Sequence, residues 1–469
     1  MKVKESSYIK ENKPLFVELK DELLKNFEYA SVLVQDAEGK LYSVQKTGTT
    51  ISENDCERGF VVKVYDGGCY AEYSDNDISK EKIGKIVSLV KERLVKLGSG
   101  KEKSRYKVPV DEPIVFAKST EYEVDPAELG DEKIVEHISK VSKAGLASDK
   151  RVLNCRVVCN YQKYTKLFLS RNKDMEQNVM WSSGYIFVNT IRGEEVKQSM
   201  QGFSMLGGME LLDEMDSEVD KVVKVAIELL DSEPLPPGEY ECICDPETTG
   251  MIVHEAFGHG VEMDMFVKDR ALARNYMGEY VASPLITMRD GNAVKQTATY
   301  FFDDEGTMAH DTVIIDKGIL VAGISDLQSA MALGTEPTGN GKRQDYSRKA
   351  YTRMTNTYFE AGTSKVEDMI ASVKDGLLLE APSSGMEDPK NWGIQCMVDI
   401  AREIKDGKLT GKIYSPIVLT GYVPDLLKSI SMVSDSIRLG GTGHCGKGYK
   451  EWVKVSDGGP YIKARIRLG

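Results

Sequence analysis

The chain has 469 residues, 29% of them charged and 41% hydrophobic, which is typical of a globular protein with two or three domains. Its net charge of −12 excludes the broad basic surface that non-specific nucleic-acid binding requires. No run of 18 apolar residues is present, so we expect no membrane-spanning helix. The N-terminus lacks an apolar leader, and eight cysteines without one predict reduced thiols in the cytoplasm.

The first half of the chain alternates between helical and extended patterns. Apolar residues at intervals of three and four predict helices at 15–29, 80–97, 132–147 and 214–230. Runs of β-branched or alternating apolar residues predict strands at 30–35, 60–65, 151–159, 165–170 and 184–190. Residues 36–39 predict a turn, and the charged stretch 101–111 predicts a surface linker. We expect the strands to form an antiparallel sheet.

The proline-rich segment 234–238 marks the clearest boundary, because its prolines cannot continue the preceding helix. After it, short apolar runs predict strands at 312–315, 319–321, 413–419 and 461–466. Cys242 and Cys244 lie in an alternating segment, so both are predicted to pack in the core from one face of a strand. The sequence therefore predicts an α+β fold. A mixed α/β N-terminal domain, 1–233, precedes a mostly β C-terminal domain, 238–469, which carries one helix.

The most informative segment is 254–259, His-Glu-Ala-Phe-Gly-His, in a chain with only five histidines. Neutral imidazole is a favoured zinc ligand, and an adjacent glutamate can take a proton from an activated water molecule. The competing interpretation is a surface helix with two ordinary histidines. Asp245 as the N-cap and Pro246 at the first helical position predict where this helix begins.

The five-residue spacing between His254 and His259 does not fit a regular helix. Five residues rotate the second imidazole by about 140° and move it by roughly 7.5 Å along the axis. Both imidazoles can bind one zinc ion only if the turn between them is widened or broken. Gly258 and Gly260 lower the backbone cost of such a departure. We therefore predict a widened or broken turn at 256–259.

Catalytic zinc usually takes three protein ligands and structural zinc takes four, so at least one ligand besides His254 and His259 is needed. The candidates are Glu262, Asp264, His310, His444 and Cys445. Cys445 lies in the glycine-rich loop 439–448, which is suited to bring a thiolate to a site. Chemistry alone leaves the third ligand divided between Cys445 and Glu262.

Other polar segments are less specific. The loop 439–448 fits all but the last position of a phosphate-binding pattern, where Gly448 replaces the required serine or threonine; a fortuitous glycine loop is preferred. Asp303, Asp304 and Glu305 predict a solvated hairpin tip, with orientation of a substrate amine as the alternative. Arg353 lies in a polar stretch whose role the sequence does not define.

Four segments in this order resemble the TldD/PmbA family of metallopeptidases. They are His-Glu-Ala-Phe-Gly-His-Gly, Asp-Asp-Glu-Gly, Arg-Met-Thr-Asn-Thr and a late Cys-Gly-Lys. An early Glu57-Arg-Gly-Phe segment extends the resemblance over most of the chain. The resemblance, to the catalytic branch of the family, implies zinc ligands His254, His259 and Cys445, with Glu255 as the catalytic base. It also implies a dimer, either of identical chains or with a sibling that lacks the motif.

Together these observations predict a zinc-dependent peptidase that hydrolyses unfolded peptides held extended beside a strand. Its oxyanion stabiliser is left open among His310, His444 and Arg353. The alternative is a non-enzymatic peptide-binding module with a structural zinc. Three protein ligands favour the enzyme, and a fourth favours the module.

Overall fold

The structure is a computed structural model that describes residues 1–54, 57–98, 106–448 and 450–469. Residues 101–105 of the predicted linker lie outside the described residues. Helices and strands are both abundant, in an α+β arrangement as predicted. Among the helices of the described ranges, none has the length and apolar character needed to cross a membrane.

Eight strands of the first half form one sheet. They are β1 (Tyr29–Gln45), β2 (Gly48–Glu53), β3 (Arg58–Asp66), β4 (Cys69–Asp75), β5 (Ile114–Ser119), β6 (Val152–Leu169), β7 (Lys173–Arg192) and β8 (Glu195–Met205). Their order is β4-β3-β1-β6-β7-β5, with β2 beside β1 and β8 beside β7. The β5–β7 pair is parallel and the other pairs are antiparallel.

Two predictions in this sheet are wrong. Residues 36–39 continue β1 instead of turning, because they pair in register with β6 from Asp36–Thr165 to Gly39–Gln162. The two strands predicted at 151–159 and 165–170 are the single strand β6 for the same reason. Pairing with neighbouring strands overrides the local turn propensity of these residues.

Helices cover one face of this sheet. They are α1 (Ser7–Asn26), α2 (Lys80–Gly98), α3 (Pro126–Leu129), α4 (Asp131–Ser148) and α5 (Leu211–Glu228). The first begins well before the predicted residue 15, because the Ser6 hydroxyl caps it by accepting from the Ile9 amide. On the opposite face, Leu33 and Phe168 pack against Phe302 of the second half. This contact joins the two halves of the chain.

The second half contributes the remaining strands. In chain order they are β9 (Gly238–Cys244), β10 (Met288–Gly291), β11 (Asp311–Asp316), β12 (Ile319–Leu320), β13 (Gly341–Lys342), β14 (Tyr351–Thr352), β15 (Asn356–Phe359), β16 (Asp375–Asp388), β17 (Gly393–Lys405), β18 (Lys408–Tyr414), β19 (Ile417–Tyr422), β20 (Met432–Val433), β21 (Arg438–Gly440), β22 (His444–Lys447), β23 (Lys450–Lys454), β24 (Ser456–Gly459) and β25 (Ile462–Leu468). The strand predicted at 413–419 is two strands, because Pro416 interrupts it.

Two sheets organise this half. Strands β9, β25, β19, β17 and β16 pair in sequence, and β16 also pairs with β9, so the five strands close into a barrel. A second sheet has the order β12-β11-β10-β15-β24-β21. The prediction of one helix here is wrong. Besides α6 (Pro246–Ile252), which begins the predicted motif helix, the structure has short helices whose one or two turns are too brief for a periodic apolar pattern: α7 (Met263–Val267), α8 (Leu327–Leu333), α9 (Val366–Ala371) and α10 (Val423–Lys428).

The largest apolar core surrounds the segment 252–261. Val253, Ala256 and Phe257 are fully buried there and pack with Cys242 and Cys244 of β9. The predicted core packing of these two cysteines is therefore confirmed. Because the motif's backbone lies in this close-packed core, its side chains are presented from a rigid element.

Candidate metal centre

The helix that carries the motif begins where the sequence predicted. The Asp245 carboxylate accepts from the Thr248 amide at 2.8 Å, and Pro246 occupies the first turn. A Cβ atom at Gly250 would lie 2.7 Å from the Gly458 amide nitrogen. The absence of a side chain at Gly250 therefore allows β24 to approach the helix closely.

The predicted widened turn is confirmed, although it starts earlier than expected. A π-helical segment spans Val253–Gly258, and a 3₁₀ turn follows at His259–Val261. The His259 amide donates to the His254 carbonyl, five residues back instead of four. One extra residue in the turn moves side chains five apart towards the same face. The two imidazole rings consequently lie with centroids 5.1 Å apart.

The glycines of the motif have a different role from the one expected. Gly258 has φ −62°, an ordinary helical value, so its conformational freedom is not needed. A Cβ atom at Gly258 would fall 2.2 Å from the Met354 Sδ, and one at Gly260 would fall 2.8 Å from the Glu387 Oε1. Close packing against these two side chains, and not backbone freedom, favours glycine at both positions.

Three ligand atoms converge at the widened turn. The Cys445 Sγ lies 3.2 Å from the Nε2 of His254 and 3.2 Å from the Nε2 of His259. All three ligand atoms lie within 4.8 Å of one another. Two ligands of a tetrahedral zinc ion are roughly 3.5 Å apart, so this donor set fits zinc. Within the described ranges the group holds three residues, the number typical of catalytic zinc.

The electrostatics of this cluster favour a thiolate. Burial alone raises the pKa of the Cys445 thiol, but the charge of His259 and hydrogen bonds from both imidazoles lower it to about 5. Burial lowers the pKa of His259, whereas Glu262 and Cys445 raise it to about 10. A thiolate is the form of cysteine that binds metal, so the sulfur is held ready for a cation.

Each histidine has a carboxylate beside its second nitrogen. The Asp457 Oδ2 lies 3.5 Å from the His254 Nδ1, and the Glu262 Oε2 lies 3.4 Å from the His259 Nδ1. Metal-binding histidines characteristically direct their second nitrogen at a carboxylate, which fixes the ring and its tautomer. Asp457 reaches this position because β24 packs closely on Gly250.

Glu262, one of the two third-ligand candidates, therefore lies behind His259. Its carboxylate is 2% exposed and contacts the Lys447 Nζ at 2.9 Å and the Arg353 Nε at 3.3 Å. Lys447 also contacts Asp264 at 2.8 Å. Burial raises the pKa of Glu262, but Lys447 and His259 lower it well below its usual range. Lys447 is two residues after Cys445, so the strand directs both side chains to the same face.

Glu255 interacts electrostatically with all three ligands. Burial raises the pKa of its carboxyl, whereas the charges of His254 and His259 lower it, and the net shift is upward. Its side chain packs on Gly385 of β16, where a Cβ atom would fall 2.4 Å from the Glu255 Cγ. The sequence analysis missed Gly385, because nothing in the local sequence of β16 relates it to the motif.

The other candidates lie outside the ligand group. His310 is exposed, and His444 lies on the opposite side of β22 from Cys445. The Arg353 guanidinium is fully buried and donates to the main-chain oxygens of Glu451 and Cys445. Arg353 thus holds the strand that carries the thiolate, through hydrogen bonds to the Glu451 and Cys445 carbonyls and a salt bridge to Glu262.

The carboxylates predicted at a solvated hairpin tip are buried, so that interpretation is wrong. Asp303, Asp304 and Glu305 are 2%, 5% and 6% exposed. Lys166 bonds to Asp304, and Lys63 bonds to Glu305 at 2.6 Å. These lysines come from strands β6 and β3, which a local turn pattern cannot reveal. Asp304 and Glu305 therefore connect the two halves, whereas Asp303 accepts from the amides of Glu305, Thr307 and Gly341 within the second half.

Comparisons with known proteins find relatives that are named metalloproteases. The model of the PmbA/TldA metallopeptidase C-terminal domain matches residues 237–466. The chain is 30% identical over 284 residues to a metalloprotease of Methanothermobacter thermautotrophicus, covering 60% of this chain and 62% of that protein. It is 35% identical over 245 residues to the metalloprotease TldD homolog of Haemophilus influenzae, covering 52% and 50%. A zinc metalloprotease TldD homolog of Saccharolobus solfataricus is 29% identical over 235 residues, covering 50% and 52%.

Solved structures extend the likeness in fold to nearly the whole chain. TldE from Thermococcus kodakarensis has a TM-score of 0.77 at 20% identity, covering 97% of this chain and 100% of that one. A putative modulator of a DNA gyrase from Thermotoga maritima has a TM-score of 0.78 at 16% identity, with the same coverage. The chain shares the fold of these solved structures, and its sequence relatives are named metalloproteases. The family-model match over residues 237–466 and the relatives named TldD homologs support the TldD/PmbA family, as the sequence resemblance indicated. Its alignments with these three curated relatives span between half and about three fifths of their own lengths.

Proposed function

We propose that this chain is a zinc-dependent peptidase that hydrolyses unfolded peptides. The observation that carries the proposal is the convergence of His254, His259 and Cys445, with the Glu255 carboxyl beside them. Zinc held by these residues would polarise the scissile carbonyl and lower the pKa of a water molecule towards neutrality. The names of the metalloprotease relatives agree with this assignment.

The chain's own residues have separable roles in this proposal. Glu255 takes a proton from the attacking water on its carboxylate and later passes it to the leaving amine. Asp457 and Glu262 hold the two imidazoles in the orientation that leaves each Nε2 free to bind. Phe257 and its neighbours fix the backbone of the motif, which keeps these groups in place during the reaction.

The edge of β16 supports an extended substrate. Its residues Gly376–Leu379 pair with β9, but the strand continues to Asp388, and among the described residues this continuation pairs with β17 alone. Gly385, against which Glu255 packs, lies in that continuation. A peptide added along a strand edge is held through its main chain and is therefore accepted with many sequences.

A cleavage assay with a chelation step tests the peptidase activity. The purified chain is incubated with unstructured peptides, and the products are identified by mass spectrometry. We expect a chelator to abolish cleavage and added zinc to restore it. A stably folded protein whose sequence contains these peptides should resist cleavage. Cleavage that continues at full rate in the metal-free protein would contradict the proposal.

A structural zinc module is the competing assignment, and circular dichroism separates the two. Structural zinc contributes directly to folding, so its removal unfolds such a domain. In the peptidase, removing zinc should abolish activity while leaving the spectrum of the folded chain largely unchanged. Loss of the folded spectrum on chelation, with no cleavage before it, would favour the module.

We further propose that the peptidase works as a cytoplasmic dimer, formed with an identical chain or with a sibling that lacks the motif. The seven described cysteines are free thiols, which agrees with a reducing compartment. Light scattering at low protein concentration measures the assembly. A fully active monomer would contradict the dimer.

A further inference from the structure

A cavity lies away from the metal ligands, between the first-half sheet and the hairpin of β22 and β23. Its volume is about 260 Å³. Trp181 of β7 lines one side, and His444 and Lys454 of the hairpin line the other, with Lys342 of β13 beside them. His444 and Cys445 are consecutive on β22, so their side chains lie on opposite faces. The hairpin therefore separates this cavity from the metal centre.

Two ammonium groups in this cavity have no carboxylate partner within ion-pair distance among the described residues. The Lys342 Nζ donates to the main-chain oxygens of Met354 and Lys454. The Lys454 Nζ donates to the Thr442 oxygen at 3.1 Å and lies 4.3 Å from the centre of the Trp181 ring. An ammonium group has three donors, so the Lys454 Nζ keeps donors that no described protein group accepts.

The other cations that line the cavity are neutralised. Lys166 forms a salt bridge with Asp304, and Arg343 forms a bidentate salt bridge with Glu72, with N–O distances of 2.8 and 3.0 Å. The uncompensated charge is thus confined to the end of the cavity formed by the hairpin and β13. Buried charges without a counter-ion are costly, so this end of the cavity favours an anion.

The lowered pKa values of Lys342 and Lys454 agree with a missing counter-ion at this end of the cavity. Burial lowers the pKa of Lys342 to about 7, and the Arg353 charge acts in the same direction. Burial and the Lys342 charge lower the pKa of Lys454 to about 7. Asp290 and Asp304 oppose the shift of Lys342, and Lys166 adds to it. A bound anion would restore the protonated form of both lysines.

We propose that this cavity binds a compact oxyanion, a carboxylate or phosphate group, through the ammonium groups of Lys342 and Lys454. The indole rings of Trp181 and Trp452 line the same cavity and leave room for the small group that carries the anion. The volume corresponds to about nine water molecules at ~30 Å³ each, which suits an inorganic ion or the end of a peptide. The site is independent of the zinc ligands.

Tryptophan fluorescence provides a direct measurement. The chain has three tryptophans; Trp181 and Trp452 line the cavity, and Trp392 is fully buried in the core of the second half. The zinc-loaded protein is titrated with inorganic phosphate, with acetate, and with short peptides that have free or amidated C-termini. Sodium chloride keeps the ionic strength constant. We expect a saturable change in emission that is stronger below pH 7 than above pH 8.

The arms of the titration identify the source of the oxyanion. Saturation by phosphate alone supports a phosphate ligand, and saturation by acetate and free peptides but not amidated ones supports a carboxylate. Lys454→Gln and Lys342→Gln should each weaken binding about tenfold, because each removes a charge-assisted hydrogen bond. The control Lys374→Gln removes an exposed lysine of the second half and should leave binding unchanged.

Two results would overturn the proposal. The first is the absence of a saturable response to any of these anions in the wild-type protein. The second is binding that Lys454→Gln leaves unchanged, which would place the anion elsewhere, such as on the zinc ion. Lys454→Arg retains the positive charge and should retain most of the anion binding. This variant tests the proposal even if Lys454→Gln does not fold.

Discussion

Gly385 of β16 and Glu255 of the motif helix are in direct contact. A Cβ atom at Gly385 would fall 2.4 Å from the Glu255 Cγ and 3.0 Å from its Cδ. The barrel strand therefore determines where the carboxyl of the proposed base can lie. Since Gly385 itself has no functional group, it acts only through the position of Glu255.

Gly385→Ala should displace the Glu255 carboxyl without removing a metal ligand. We expect peptide cleavage to fall by about a hundredfold, because small misplacements of a catalytic group are costly, while the zinc content stays at one per chain. Cleavage rates and metal analysis measure the two effects separately. Gly393→Ala is the matched control, since a Cβ there has no neighbour within 4 Å. Equal activity in the two variants would contradict this role of Gly385.

Glu255→Gln removes the proton acceptor and keeps nearly the same shape. We expect cleavage to fall by about 10²–10⁴-fold, the usual contribution of general acid–base catalysis, with zinc affinity almost unchanged. Single-turnover cleavage and zinc titration test this. Full activity in the variant would exclude Glu255 as the base.

Gly258→Val places a side chain where the structure has the Met354 sulfur. A Cβ alone would lie 2.2 Å from that atom, so Met354 and the π-helical turn must move apart. We expect zinc affinity to fall by more than tenfold and unfolding free energy to fall by about 1–3 kcal/mol, as for overpacked cores. Zinc titration and urea unfolding of the metal-free chain give the two values. Unaltered zinc affinity would show that the turn tolerates the displacement.

Lys447→Met leaves the buried Glu262 and Asp264 without their shared ammonium partner. Breaking a buried ion pair from one side typically costs about 3–5 kcal/mol. We expect a loss of this size in urea unfolding, together with weaker zinc binding, because Glu262 orients His259. The control Lys450→Met changes an exposed residue of the same hairpin. The double variant Lys447→Met with Glu262→Gln should recover part of the lost unfolding free energy. The absence of any recovery would contradict the coupling between Lys447 and Glu262.

The Glu72–Arg343 pair predicts acid sensitivity at the contact between the two halves. Burial raises the pKa of Glu72, but the Arg343 guanidinium lowers it to about 2, compared with an ordinary value of 4.5. A lowered pKa stabilises the folded state above pH 4.5, and this stabilisation is lost as the pH falls towards 2. The shift corresponds to at most about 3 kcal/mol.

Urea unfolding between pH 7 and pH 3 measures this loss. Glu72→Gln should lower stability at pH 7 and flatten the pH dependence in this window. Glu11→Gln, on the exposed surface of α1, should change neither. A pH profile of Glu72→Gln that matches the wild type would show that this pair does not link the two halves.

Local sequence was sufficient for parts of the metal centre. The spacing of His254 and His259 predicted a widened turn, because two imidazoles cannot share a metal from a regular helix at that spacing. Asp245 and Pro246 predicted the start of the helix through capping alone. Chemistry did not choose between Cys445 and Glu262. The structure separates them, since Cys445 contacts both Nε2 atoms and Glu262 lies at the far nitrogen of His259.

What the sequence missed depends on contacts between distant segments. Residues 36–39 have turn-like composition, yet pairing with β6 extends them. Asp303 and Asp304 look solvated, yet Lys166 and the amides of the second half enclose them. Gly385 and Asp457 have roles only because β16 and β24 pack on the motif helix. Such roles arise from tertiary packing, which periodicity and turn propensity do not encode.

The metal centre joins parts of the chain that are 186 and 191 residues apart. During synthesis, the two histidines and Glu255 emerge long before the strand that carries Cys445. Under the proposed assignment, a partly made chain holds the base and two ligands but lacks the thiolate, so it cannot yet cut peptides. Peptide hydrolysis then becomes possible only after the hairpin of β22 and β23 has folded against the motif helix. Under that assignment, the position of Cys445 makes activity towards unfolded peptides depend on a nearly complete chain.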